Sequence, residues 1–316
     1  MPTYFKEAEF STALHEKIIP FLHARRTEQV VTATDGTTLH TLYYKADAPR
    51  GTVIWIHGFS ENADKYREMI YYCLLDGLSV LIYDQRGHGR STRKAPLGVI
   101  HVDKFEDYLT DFQAVFAAYE AVLHTPLYLF GHSMGGAVAA LILEQHPDRF
   151  RRAALSAPML DLTYRGGARA VAMLTATAAC LFTNCQKPIP VRKKDASKNS
   201  LAHSNYRSPA RFQAVRDLTR ENPLLGGGTP SRAWAHAALG VRRKIFKKGA
   251  PAGIKTPVLL FSAEKETLVS NEAHARFATL VPQVTHITVP DVRHEILFAE
   301  DEKSFPVIER MLAFFA

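Results

Sequence analysis

Residues 127–145 constrain this chain more than any other stretch. Leu127-Tyr128-Leu129-Phe130 is an apolar run that reads as a buried strand ending at Phe130. Gly131-His132-Ser133-Met134-Gly135 follows and fits the G-x-S-x-G nucleophile elbow. Ala137 to Gln145 is then a run of good helix formers. Strand, sharp turn and helix are the context the motif needs, because the serine must be lifted above a sheet edge in a strained backbone conformation. The glycines on either side let helix and strand approach closely. A helix starting at Met134 points its positive end at the site, which favours a developing oxyanion.

The rest of the chain supplies a sheet for that elbow. Gln29–Thr34 and Thr37–Tyr44 read as a hairpin across Asp35-Gly36, after a polar, partly helical lead-in over residues 1–27. Gly51–Gly58 and Ser79–Asp84 are continuous apolar strands, separated by a helix over Lys65–Leu75. A long amphipathic helix is expected over Val102–Leu123, and another strand at Arg152–Ser156. The rhythm stops near Met159 and returns with the strand Pro257–Ser262. A helix over Asn271–Leu280, the strand Thr285–Val289 and a helix over Lys303–Phe315 complete it. Alternation of apolar strands with helices argues a mostly parallel sheet covered on both faces. The intervening segment differs in character. It holds an apolar Ala- and Thr-rich helix over Ala168–Phe182, a basic polar stretch over Ile189–Asn205, a helix over Pro209–Leu218, a glycine-rich turn over Pro223–Pro230, and a helix over Ser231–Leu239.

A serine hydroxyl becomes a useful nucleophile only when a base takes its proton and a third group fixes the base's tautomer. Behind an elbow of this kind the order is serine, acid, histidine. His294 lies on the loop after the last strand, in Val289-Pro290-Asp291-Val292-Arg293-His294. The acid falls after the strand ending at Ser262, where Glu266 precedes Thr267-Leu268-Val269. Glu264 competes two residues closer to the strand, and Asp291 shares the histidine loop. An oxyanion hole needs two backbone N–H groups, one from the residue after the nucleophile and one from the loop after the third strand. Met134 and Phe59 fill these places.

His57-Gly58-Phe59-Ser60-Glu61, Asp84-Gln85-Arg86-Gly87-His88-Gly89-Arg90-Ser91 and the elbow resemble the monoglyceride lipase and lysophospholipase branch of the α/β-hydrolases. Ser156-Ala157-Pro158-Met159, Leu201-Ala202-His203-Ser204, Gly226-Gly227-Gly228-Thr229 and His294-Glu295-Ile296-Leu297-Phe298 are similar to the bacterial lysophospholipases of the L-two type. A glutamate at the acid position departs from the usual aspartate of the monoglyceride lipases and agrees with the lysophospholipase branch. The resemblance implies an α/β-hydrolase core, residues 1–159 and 250–316, with a helical cap over 160–249 inserted after the sixth strand. It implies hydrolysis of a lysophospholipid ester through an acyl-enzyme, with monoacylglycerol lipase or general carboxylesterase as the alternative. A non-catalytic binding module of the same fold is the reading of another class, and a complete triad counts against it. No cofactor and no metal ion is implied.

Charge and composition narrow the partners. Hydrophobic content of 47% and charged content of 22% suit a globular chain with a sizeable core. A formal charge of +8 is too mild for nucleic acid but suits anionic lipid head groups. The run Arg192-Lys193-Lys194, with Lys198 and Arg207, either meets a phosphate or anionic membrane surface or stays a solvated loop. The apolar helix over Ala168–Phe182 is too short to span a bilayer and suits an interfacial role, with Val171, Leu174, Leu181 and Phe182 available to wall an acyl chain. Three cysteines without metal spacing, and no signal peptide over Met1–Leu22, point to a reducing cytoplasmic location, at most peripheral to a membrane. The oligomeric state is open.

Overall fold

The computed structural model describes residues 3–163, 169–190 and 200–316. Its strands are β1 (Arg26–Thr32), β2 (Thr38–Tyr44), β3 (Gly51–Ile56), β4 (Leu78–Tyr83), β5 (Leu127–His132), β6 (Arg152–Ser156), β7 (Val258–Ala263) and β8 (Val284–Val289). They form one sheet in the order β1-β2-β4-β3-β5-β6-β7-β8. The β1–β2 and β2–β4 pairs are antiparallel, and every other neighbouring pair is parallel. Strands β3, β4 and β7 are buried at every position, as strands covered on both faces must be. Trp55 of β3 stacks on Phe130 of β5 at 3.8 Å between ring centroids and is fully buried.

This order places the site. The chain leaves β3 for β4 on one side and returns to β5 on the other, so the loops after β3 and β5 diverge from a switch point at the carboxyl edge. Parallel β7 and β8 release their loops at the same edge. The sixth strand is followed by helices Arg169–Phe182, Pro209–Glu221 and Arg232–Ile245 before β7 begins. Within that segment, Thr229–Pro230 pairs with Val99–Ile100 as a small parallel ladder.

Three expectations need correction. The lead-in is a packed element, with helix Glu7–Ala13, a π-helical turn Leu14–Ile18 and helix Ile19–His23. Phe10, Ala13, Leu14, Ile18 and Leu22 are buried on one face, a helical spacing that the polar residues between them obscure. The helix expected over Val102–Leu123 is only Asp107–Tyr119. Its expected first turn is taken up by the approach to the inserted segment, where His101 Nδ1 meets Ser231 Oγ at 3.0 Å.

The third correction concerns the acyl wall. Val171 and Leu174 are 59% and 69% exposed, so they face away from packed surroundings. The side chains of Leu181 and Phe182, and the basic run Arg192–Lys194 with Lys198, lie outside what is described. The later part of the insertion, by contrast, is anchored. Trp234, Ala238, Val241 and Ile245 join the hydrophobic cluster of the sheet. Arg211 is 1% exposed and donates to both oxygens of Glu68 at 2.8 Å and to Asp301 at 2.9 Å. Among the described residues no helix is long and apolar enough to cross a membrane.

Candidate active site

Ser133 sits between the end of β5 and the helix Met134–Gln145 with φ 52° and ψ −119°. A non-glycine residue avoids this region unless its surroundings force it there. Here they do. The Ser133 N–H donates to Ser156 O at 3.0 Å, and its carbonyl accepts from Met159 N at 2.8 Å and Gly136 N at 2.9 Å. The helix presses directly on the sheet. A Cβ at Gly135 would lie 2.2 Å from Ile56 O, and one at Gly131 would lie 2.6 Å from Gly135 O. Gly135→Ala therefore has to push the helix off β3. We expect a loss of about 1–3 kcal/mol, read as a lower Tm in a thermal melt. A melt unchanged from the wild type would contradict the close approach.

The loops after β7 and β8 bring Glu266 to His294. Glu266 Oε2 lies 2.6 Å from His294 Nδ1, while its Oε1 accepts the Thr267 and Leu268 N–H groups at 2.8 Å each. Both side chains are buried, at 2% and 4% exposure. Glu264 does not reach the ring. It is exposed, and its carboxylate accepts the Asp291 N–H at 2.8 Å. The Asp291 carboxylate is engaged by Lys265. Burial works against the charge on Glu266, but the hydrogen bond and charge of His294, with the two backbone donors, outweigh it and hold the carboxyl below its usual range. Burial likewise opposes protonation of His294. The Glu266 hydrogen bond and charge, with the charges of Glu295 and Glu61, outweigh it and hold the imidazole above the ordinary histidine value.

The loop after β3 is held from both ends. His57 Nδ1 donates to Gly58 O at 2.7 Å, and His57 Nε2 accepts from Gln85 N at 2.9 Å, which fixes one tautomer. The Gly58 N–H donates to Glu61 Oε2 at 2.6 Å. The Gly58–Phe59 peptide is thus pinned at its carbonyl. Among the described residues neither the Phe59 nor the Met134 N–H has a backbone acceptor.

Ser133 and His294 line one cavity of about 800 Å³ together with Phe59, Leu268, Glu295 and the Gly227–Pro230 run. No hydrogen bond joins Ser133 Oγ to His294 among the described residues, and contacts of this type tighten once substrate is bound. Phe59 packs on Trp234 at 4.0 Å between centroids. The Gly228 N–H donates to Ser60 Oγ at 2.9 Å, and a Cβ at Gly227 would meet the same oxygen at 2.1 Å. The inserted segment therefore lies directly on the loop after β3. Arg86 does not enter the cavity. It is buried and bound to Asp111 at 2.5 and 2.6 Å and to Asp35 at 2.9 Å, so it braces the turn after β4.

Several residues near the site escaped sequence reasoning. Trp234 and Ser60 come from distant segments, and nothing in their own stretches links them. Glu61 and Lys65 carried a signal, an acid and a base four residues apart at a helix start.

Sheet order, strained elbow serine and returning chain are those of the α/β-hydrolase fold. The profile of the family described as Serine aminopeptidase, S33 (Hydrolase_4) matches residues 47–302, and the chain belongs to that family. It is 29% identical over 314 residues to lysophospholipase L2 of Escherichia coli strain K12, covering 92% of this chain and 88% of that protein. It is 25% identical over 258 residues to a monoacylglycerol lipase of Mycolicibacterium smegmatis, covering 81% and 85%. Among solved structures, a variant of monoglyceride lipase from Saccharomyces cerevisiae in complex with a substrate analog superposes with a TM-score of 0.73 at 19% identity, covering 92% of this chain and 94% of that one.

Proposed function

We propose that this chain is a serine hydrolase that cleaves the carboxylic ester of a lysophospholipid through an acyl-enzyme. One observation carries the chemistry: a 2.6 Å contact between Glu266 and His294, whose imidazole lines one cavity with a strained elbow serine. Ser133 Oγ attacks the acyl carbon while His294 takes its proton at Nε2. Glu266 holds Nδ1–H and supports the imidazolium. The Phe59 and Met134 N–H groups receive the oxyanion, helped by the positive end of the helix Met134–Gln145. The imidazolium then gives its proton to the leaving alcohol. Water, deprotonated by His294, attacks the acyl-enzyme, and the fatty acid departs as Ser133 regains its proton. Atoms and charge balance with these residues and water alone.

The lipid substrate is supported by the relatives, whose names include lysophospholipase and monoacylglycerol lipase. We assign residues 160–249 the role of a lid. Gly227, Gly228, Thr229 and Pro230 from this segment roof the cavity, and Phe59 and Leu268 add apolar wall. Each acyl CH₂ buried there is worth about 0.8 kcal/mol. The exposed Val171 and Leu174, one turn apart, suit contact with a lipid surface, and the basic run at 192–194 in the same segment suits an anionic one. This makes the protein a visitor to the membrane surface.

A single comparison tests the substrate. Fatty-acid release should be measured from a lysophospholipid, a monoacylglycerol and a short p-nitrophenyl ester under one set of conditions. The highest kcat/KM is expected for the lysophospholipid. A higher value for monoacylglycerol would move the assignment to monoacylglycerol lipase, and no release from any ester would remove the hydrolase reading.

A further inference from the structure

A buried charge cluster borders both the Ser133 cavity and a second cavity of about 580 Å³, with Glu61 and Glu295 lining the two, and none of the hydrolysis steps above uses it. Lys65 Nζ donates to Glu61 Oε1 at 2.5 Å and to Glu295 Oε2 at 2.7 Å. Its side chain is 2% exposed. The rings of Phe298 and Tyr206 lie 4.7 and 5.2 Å from the ammonium, which adds cation–π support. Glu61, His132 and Glu295 hold their oxygen and nitrogen atoms within 4.8 Å of one another, a spacing that would suit a divalent cation. The Lys65 ammonium is the cation between these carboxylates.

Each member touches a part of the reacting apparatus. Glu295 follows His294 in the chain, and His132 precedes Ser133. Glu61 also accepts the Gly58 N–H at 2.6 Å and the Tyr66 hydroxyl at 2.6 Å, so it holds the His57–Gly58 peptide, one residue ahead of the peptide that carries the Phe59 N–H. Two buried carboxylates without a cation between them would repel and move apart. One ammonium against two carboxylates, with His132 kept neutral by burial, leaves a single negative charge on this side of His294. The other groups facing that ring are Glu266 on Nδ1, the His132 ring at 5.0 Å, and His274.

We propose that Lys65 is a positioning residue for this reaction: by holding Glu61 and Glu295 together it fixes the His57–Gly58 peptide, and through it the Phe59 N–H that follows, relative to the His294 loop and limits the negative field at the imidazole. This rests on the reading of Ser133 and His294 as nucleophile and base.

The test uses the full chain and the pH dependence of p-nitrophenyl butyrate hydrolysis. In Lys65→Met, kcat should fall about 100-fold with KM within about threefold, the signature of a displaced oxyanion donor. The acid limb of kcat/KM should move up by about one pH unit, because two uncompensated carboxylates stabilise the imidazolium. Lys65→Arg keeps the charge and should leave the acid limb near its wild-type position, while its larger planar head lowers kcat. Glu295→Gln should move the acid limb the opposite way, since it removes a carboxylate while Lys65 remains. A merely structural role would not produce opposite displacements. Turnover of Lys65→Met within about threefold of wild type, or an unmoved limb, would overturn the proposal. Should that variant fail to fold, Glu295→Gln decides alone, and a limb that stays or rises overturns it. A wild type that cleaves no ester would remove the underlying reading first. An active wild type with an unmoved limb in the variants removes this proposal only.

Discussion

Replacing Ser133 by alanine is expected to lower ester turnover by a factor on the order of 10⁴ or more while the protein stays folded. The hydroxyl is the atom that bonds to the acyl carbon, and Ser133 shares its cavity with His294. The backbone strain at φ 52° is imposed by bonds to Ser156, Met159 and Gly136, and all of these use main-chain atoms. Alanine keeps them, so the Tm should stay within a few degrees of wild type. Steady-state hydrolysis of a p-nitrophenyl ester, with a thermal melt of the same preparation, checks both halves. A folded variant retaining more than a tenth of wild-type turnover would remove Ser133 as the nucleophile.

Glu266→Gln carries the second largest effect. The amide cannot support an imidazolium, and it can offer Nδ1 a donor where an acceptor is needed. Turnover should drop by on the order of 10³ or more. The pH profile should change as well, and its sign follows from the geometry. In the wild type Glu266 holds the His294 pKa above the ordinary histidine value. The neutral, active base is therefore lost as pH falls through that raised value, and the acid limb of kcat/KM lies above about 6.5. Without the carboxylate the limb should move down. Glu264→Gln, at an exposed residue that only braces the Asp291 N–H, should cost less than about tenfold. Comparing kcat of the two variants at one pH decides between the carboxylates. Greater damage from Glu264→Gln would reverse the assignment.

What the sequence disclosed depends on how far each feature reaches along the chain. The elbow is local: its strand, its glycines and its helix lie within residues 127–145, so the pentapeptide and its flanks suffice. The parallel sheet follows from apolar runs alternating with helices, and even the order of acid and histidine is a one-dimensional property. Choosing Glu266 over Glu264 needed the position of a strand end to within two residues, which hydrophobic pattern alone does not set. The bonds from Glu266 to the Thr267 and Leu268 N–H groups turn its carboxylate inward, and such loop geometry has no periodic signature.

The insertion was the least legible part. Its helices bury only part of their surfaces, and what they bury against comes from remote segments. Arg211 reads as one more surface cation on an amphipathic helix, yet it is among the most deeply buried charges, because Glu68 and Asp301 converge on it from other parts of the chain. Val171 and Leu174 read as wall material because they are apolar, but they are exposed. The same difficulty hid Lys65. Its spacing from Glu61 suggests an ordinary exposed helix pair, and only the arrival of Glu295 from the far end of the chain makes it a buried bridge.

The central claim is that Ser133 is the activated nucleophile of an ester hydrolase. A fluorophosphonate reacts covalently with such a serine and needs no knowledge of the natural substrate. The decisive measurement is peptide mass spectrometry of the wild-type protein after brief exposure to that reagent. A single adduct on the peptide containing Ser133, absent when the protein is first heat-denatured, is the predicted result. No adduct, or an adduct on any other residue of the folded protein, would contradict the account.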